Sequence, residues 1–225
     1  MNTKLGLALA AGLTLLASAA LAAALPAPFG PAAAGATASY SYKGNLDGPQ
    51  GPQTFSATIS VNRAEDGTLS VLQGTTLLGS VNPAGVAAAA PKTPAVSYFA
   101  GFRDLAELVR NRPADVTSGA TWKAIVVVPF GSNVLSVPLD VTATVDGDSV
   151  KLTAHGTLAT TLSPPAHVAE SDLAVTSDET AEYSKGQLTG ATISNQQDLK
   201  MELSGHQGLN EQNYSARYDI TPVAP

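Results

Sequence analysis

Three histidines, His155, His167 and His206, are the only imidazoles in this 225-residue chain, which contains no cysteine. A thiol nucleophile and a Cys-ligated metal are therefore excluded. The histidine spacing supports neither a metal site nor a Ser-His-Asp arrangement. His155 falls on the polar parity of a strand, His167 near Ser163-Pro164-Pro165-Ala166, and His206 in a Ser204-Gly205 turn. The chain has no G-x-S-x-G elbow, H-E-x-x-H, Walker loop, G-x-G-x-x-G or EF-hand loop. Asp146-Gly147-Asp148 and Glu65-Asp66-Gly67 have the composition of calcium-site fragments, but Asp beside Gly more simply supplies hairpin-turn geometry. The carboxylates Asp172, Asp178, Glu179 and Glu182 read as a solvated face rather than as acid–base partners. Trp122, the one tryptophan, reads as a core anchor between a strand and a helix rather than as a ligand-stacking platform. Asn213-Tyr214-Ser215 fits a glycosylation sequon, which by itself assigns no function. No catalytic, cofactor-binding or metal-binding residue is assigned, no cofactor is expected, and ligand-binding residues stay open.

The elements that would position such residues are mainly strands. Thr and Val favour strands, Gly supplies turns, and charged residues are only 13% of the chain, a balance that leans all-β. Apolar residues alternate with polar ones around Tyr40 and Tyr42, through Phe55, Ala57, Ile59 and Val61, and from Leu135 to Val145. The same period runs through Val150–Leu158, Leu173–Tyr183, Leu188–Leu203 and Tyr214–Ile220, with a bulge expected at Gly190 because Leu188 is out of phase. Pro138 marks an edge or a bulge. Trp122 to Phe130 is apolar at both parities and predicts a central strand covered on both faces. Asn82 to Ala95 has no useful period and reads as a mobile surface connection. One amphipathic helix is predicted over 97–111: Phe102, Leu105, Ala106 and Val109 share a face, Arg103, Glu107 and Arg110 lie opposite, and Pro113 ends it. So many one-sided strands must curl or be covered. The expected fold is one antiparallel, strongly curved, half-barrel-like sheet with that helix packed on it; a β-sandwich is the alternative. An outer-membrane barrel is disfavoured by the lack of aromatic girdles.

The N-terminus supplies an address. Lys4 precedes an apolar run to about Leu16, and Ala20-Leu21-Ala22 offers a signal-peptidase site. Residues 1–22 are expected to be a signal peptide, with an uncleaved anchor as the rival reading. Residues 23–37 are expected to be an Ala/Pro/Gly-rich disordered spacer, and 38–225 a single β-rich domain. No Cys is present for lipoprotein acylation. Cleavage would remove one of the 12 basic residues and leave 11 against 18 acidic ones, a net charge of −7. With no basic patch, nucleic acid is not an expected partner, and stable membrane insertion of the mature domain is not expected.

The order of the Phe102…Leu105 helix, Pro113, Val116-x-x-Gly119-x-x-Trp122, long strands around Asp146-Gly147-Asp148, then Lys185-Gly186-x-Leu188 resembles a group of uncharacterised bacterial secreted and lipoprotein-like all-β proteins. The resemblance covers about residues 102–203; Ala120 stands where that group has Asp. It implies an exported protein but no known activity. More distantly, a half-barrel resembles the periplasmic carriers of lipoproteins or lipids, which implies an apolar ligand. The expected function is non-enzymatic binding of a lipid, acyl chain or other apolar small molecule in the cell envelope, periplasmic or secreted. A structural or protein-interaction module with an envelope partner is the alternative, and a hydrolase the least favoured one.

Overall fold

The computed structural model describes residues 28–91, 98–130, 133–162, 168–203 and 209–224. The expected signal peptide, His167 and His206 lie outside these residues.

Among the described residues, eleven strands and one helix follow one another as β1 (Thr37–Asp47), β2 (Gln53–Arg63), β3 (Leu69–Gln73), β4 (Thr76–Val81), β5 (Ala87–Ala89), α1 (Phe99–Arg110), β6 (Thr121–Phe130), β7 (Asn133–Asp146), β8 (Ser149–Thr161), β9 (Val168–Ser184), β10 (Gln187–Leu203) and β11 (Leu209–Pro222). They form a single antiparallel sheet in the order β5-β4-β3-β2-β1-β11-β10-β9-β8-β7-β6, not closed into a barrel. The chain starts mid-sheet, steps outward to β5, crosses through α1 to the opposite edge at β6, and steps back until β11 meets β1. The expected curved sheet with one helix is therefore what forms, the helix running 99–110 where the periodicity predicted 97–111.

Strand alternation places one parity inside. Tyr42 on β1 stands opposite Ala57 of β2 and Ile220 of β11, and Ile220 stands opposite Ala191 of β10. These positions join a continuous apolar core with Leu152, Leu173 and Ile193. The two short turns behave as their composition requires. At Asp66 the carboxylate accepts from Thr68 N–H at 2.9 Å, and Gly67 and Gly147 take the positive φ of 87° and 56° that L-residues avoid. The register slip between Leu188 and Gly190 is the bulge that phase demanded.

The curvature has a specific origin. β7 pairs with β8 only from Asp140↔His155 to Asp146↔Ser149. Pro138 lies just beyond the end of that ladder, where its missing N–H costs nothing. There the β7 backbone swings over the concave side, so closely that a Cβ on Gly156 would sit 2.0 Å from the Pro138 carbonyl oxygen. The swing carries the end of β6 over the concave face, where Phe130 meets Tyr214 of β11 edge-on at 5.8 Å.

Three expectations need correction. β6 is an edge strand rather than a central one, and its outward Ile125 is 53% exposed. Its Val and Ile content reflects the β-branched preference for strands, not burial on two sides. Ala87–Ala89, read as part of a mobile connection, is the short edge strand β5. Asn82 closes its turn by accepting from Val86 N–H through Oδ1. The segment read as a disordered spacer is packed at Pro28 to Gly30, while Ala32 to Gly35 are exposed. Phe29 is 1% exposed, its ring 5.0 Å from that of Phe102, Tyr183 donates to Pro28 O at 2.9 Å, and Gly30 N–H donates to Tyr40 at 2.8 Å. One large aromatic in an Ala/Pro run is enough to dock it.

Gly156→Ala is expected to destabilise by about 1–3 kcal/mol, because the contact is with backbone that no rotamer change relieves. A urea midpoint unchanged from the parent would contradict the described crossing of β7 over β8.

Candidate functional site

The helix positions the interior chemistry. α1 touches β4, β5 and β6, and nearly all of its surface is buried. Its last turn is fixed from outside: Trp122 Nε1 donates to Leu108 O at 2.6 Å, and Arg112 Nη1 donates to Val109 O at 2.8 Å alongside the backbone N–H groups at the helix end. Trp122 is thus the anchor between strand and helix. Arg103, expected on a solvent face, instead lies along β6, donates to Val127 O and pairs with Asp104 at 3.0 Å.

Asp104 and Glu179 are both buried, and Glu179 feels the charge of Asp104. Glu179 was read as one of four solvated carboxylates. Asp172, Asp178 and Glu182 are exposed, but Glu179 points inward, opposite Ile193 and Ala154 in the register. Its odd parity, shared with Leu173, Val175, Ala181 and Tyr183, carried that information. Burial first, and then the negative Asp104, push the Glu179 carboxyl well above its ordinary range, while the Ser177 hydroxyl (3.4 Å) and Arg103 pull it back. Burial also raises Asp104, which the adjacent Arg103 partly offsets. One guanidinium faces two buried carboxyls, so folding shifts both toward their protonated forms.

On the convex face the register sets the order Asp140, His155, Asp178, Ser194 across β7 to β10. His155 Nδ1 lies 2.7 Å from Asp178, both largely exposed. The carboxylate, not the imidazole, neighbours the serine, and two strand spacings put Ser194 about 9–10 Å from His155. That order cannot relay a proton from serine to histidine. Among the described residues no group of three or more His, Asp or Glu could hold a metal. No helix among them is long and apolar enough to cross a membrane.

The concave side opens at one end. A cavity of about 330 Å³ is bounded by Leu46 and Asp47 of β1, Val128, Pro129 and Phe130 of β6, Asn195 and Gln197 of β10, and Tyr214 to Ala216 with Tyr218 of β11. It exists because β6 is lifted over β10 and β11 by the crossing at Gly156, and Gln197 Nε2 bridges the gap to Pro129 O at 3.3 Å. Tyr218 bounds the cavity inward, its phenol close enough to Asp104 to be raised by that charge as well as by burial. Phe29 docks toward the opposite ends of the strands, beside Tyr40 and Phe102. Sequence reading missed these lining residues. The signal was Asn195 and Gln197 at the inward parity of β10 between Ile193 and Leu199.

No family model matches the chain, and no curated protein matches it.

The buried carboxyls give a pH dependence of definite sign. Because the Glu179 pKa is raised above 4.5 by folding, its contribution is fully present below pH 4.5 and is lost as pH rises toward the folded value. Glu179→Gln, which cannot ionise, is expected to lose less stability between pH 5 and pH 8 than the parent. Parallel melting-temperature curves for the two proteins would contradict this.

Proposed function

We propose that the chain is an exported, non-enzymatic binding protein of the cell envelope that holds a small apolar ligand in the open end of its curved sheet. The observation that carries this reading is the cavity bounded by Val128, Phe130, Tyr214 and Tyr218 on the concave side of the sheet. At about 330 Å³ it sits at the small end of ligand-pocket volumes, which suits one short chain or one ring system rather than a whole diacyl lipid. Export is supported by the charged, then apolar, then Ala-x-Ala opening of the chain. The motif order over residues 102–203 favours kinship with the uncharacterised secreted and lipoprotein-like all-β proteins it resembles.

A competing reading, a protein-interaction module of the envelope, is favoured by Ile125 and Val134, 53% and 64% exposed on adjacent strands of the convex side. It gains if ligand binding fails while Ile125→Glu with Val134→Glu releases a protein that otherwise co-purifies from envelope extract.

The direct test is fluorescence titration with N-phenyl-1-naphthylamine, a neutral apolar dye. Saturable binding at one site is expected, weakened about tenfold or more by Ala216→Trp, which fills the cavity from β11. No saturable binding, or equal binding by the variant, would overturn the reading.

A further inference from the structure

The composition of the cavity identifies the head of its ligand, an inference that rests on the binding reading above. Asp47 is the one formally charged residue among the described lining, and no Lys, Arg or His joins it. An anionic head would meet a carboxylate and no compensating cation.

The inner wall is polar in a particular way. Asn195 and Gln197 occupy alternate, inward positions of β10 and are 5% and 9% exposed. Gln197 is held to β6 through its bond to Pro129 O. Asn195 Oδ1 is buried with no hydrogen-bond partner. Its cross-strand neighbours do not supply one: Ala216 has no donor, and the Ser177 hydroxyl is directed to Glu179. The oxygen is enclosed as it stands, and because the terminal torsion of an asparagine is broad, a rotation of the amide within its χ1 well would bring it to the cavity wall. An acceptor of this kind at the end of an apolar pocket selects for a donor, since a ligand lacking one leaves it unsatisfied.

We infer that the ligand is an amphiphile without negative charge whose head, a hydroxyl or an N–H, donates a hydrogen bond; it enters head first and bonds Asn195 Oδ1. Its apolar remainder then lies between Val128, Phe130 and Tyr214. The head group is recognised by the one amide, and the walls contribute affinity without distinguishing among apolar shapes.

Calorimetric titration of the purified chain with 1-heptanol, 1-methoxyhexane and heptanoate separates the possibilities. The alcohol and the ether are equal in size, but only the alcohol donates; the acid carries the charge. The alcohol is expected to bind about tenfold tighter than either of the others. Asn195→Leu is expected to abolish the preference for alcohol over ether while N-phenyl-1-naphthylamine, read separately, still binds. If ether matches alcohol in the parent, or the preference survives in Asn195→Leu, the head-group assignment falls and apolar binding stands. If none of the three binds, both fall.

Discussion

The fold depends on how a long one-sided sheet deals with its two free edges. Eleven antiparallel strands leave β5 at one side and β6 at the other, each with unpaired backbone groups and an apolar inner face. The chain covers both with the same short helix. α1 is the connection between the two edge strands and lies against β4, β5 and β6, so the covalent link is also the seal. At one side the Phe99 ring packs onto Gly79 of β4, where a Cβ would come within 2.5 Å. At the other, Arg103 reaches Val127 O, and Trp122 of β6 caps Leu108 O. Twelve residues are too few to be a stable helix in water, so α1 exists because the concave face supplies its environment.

Burying that helix almost all round has a cost that shapes the interior. Asp104 cannot reach water, and Glu179 faces the same space from β9. Arg103 answers part of that charge, and burial shifts both carboxyls toward their protonated forms. The polar cluster is thus a consequence of sealing the sheet. The two open ends of the strands have different fates: Phe29 docks at one, and at the other the displaced end of β6 leaves a cavity.

Much of this was legible in residue order. Period-two alternation placed the inward residues of β2, β7, β8 and β10, the Leu188 phase break located a bulge, and Phe102, Leu105 and Val109 marked the helix face. One cause of failure is that alternation reports a local face and not what covers it; composition and polarity account for the others. β6 is apolar at both parities yet stands at an edge, because the β-branched Val127 and Ile125 suit a strand whether or not a neighbour lies over them. Phe29 was lost inside an Ala/Pro run whose composition predicts disorder, although one ring among Tyr40, Tyr183 and Phe102 suffices to pin it. Glu179 and Asn195 obeyed parity and were overlooked because polarity suggested solvent. The cavity itself could not be read from sequence, since it depends on where β7 leaves β8 at Pro138, a relation between strands set by the Gly156 crossing.

Native-state hydrogen exchange tests the sealing role of α1 most directly. If the helix closes the gap between β5 and β6, its amides should exchange only through global opening, with the same free energy as the slowest amides of β9 and β10. Exchange of the 99–110 amides by a local opening several kcal/mol below that limit, with β9 and β10 still protected, would show that the sheet stands without its helix and would contradict the account.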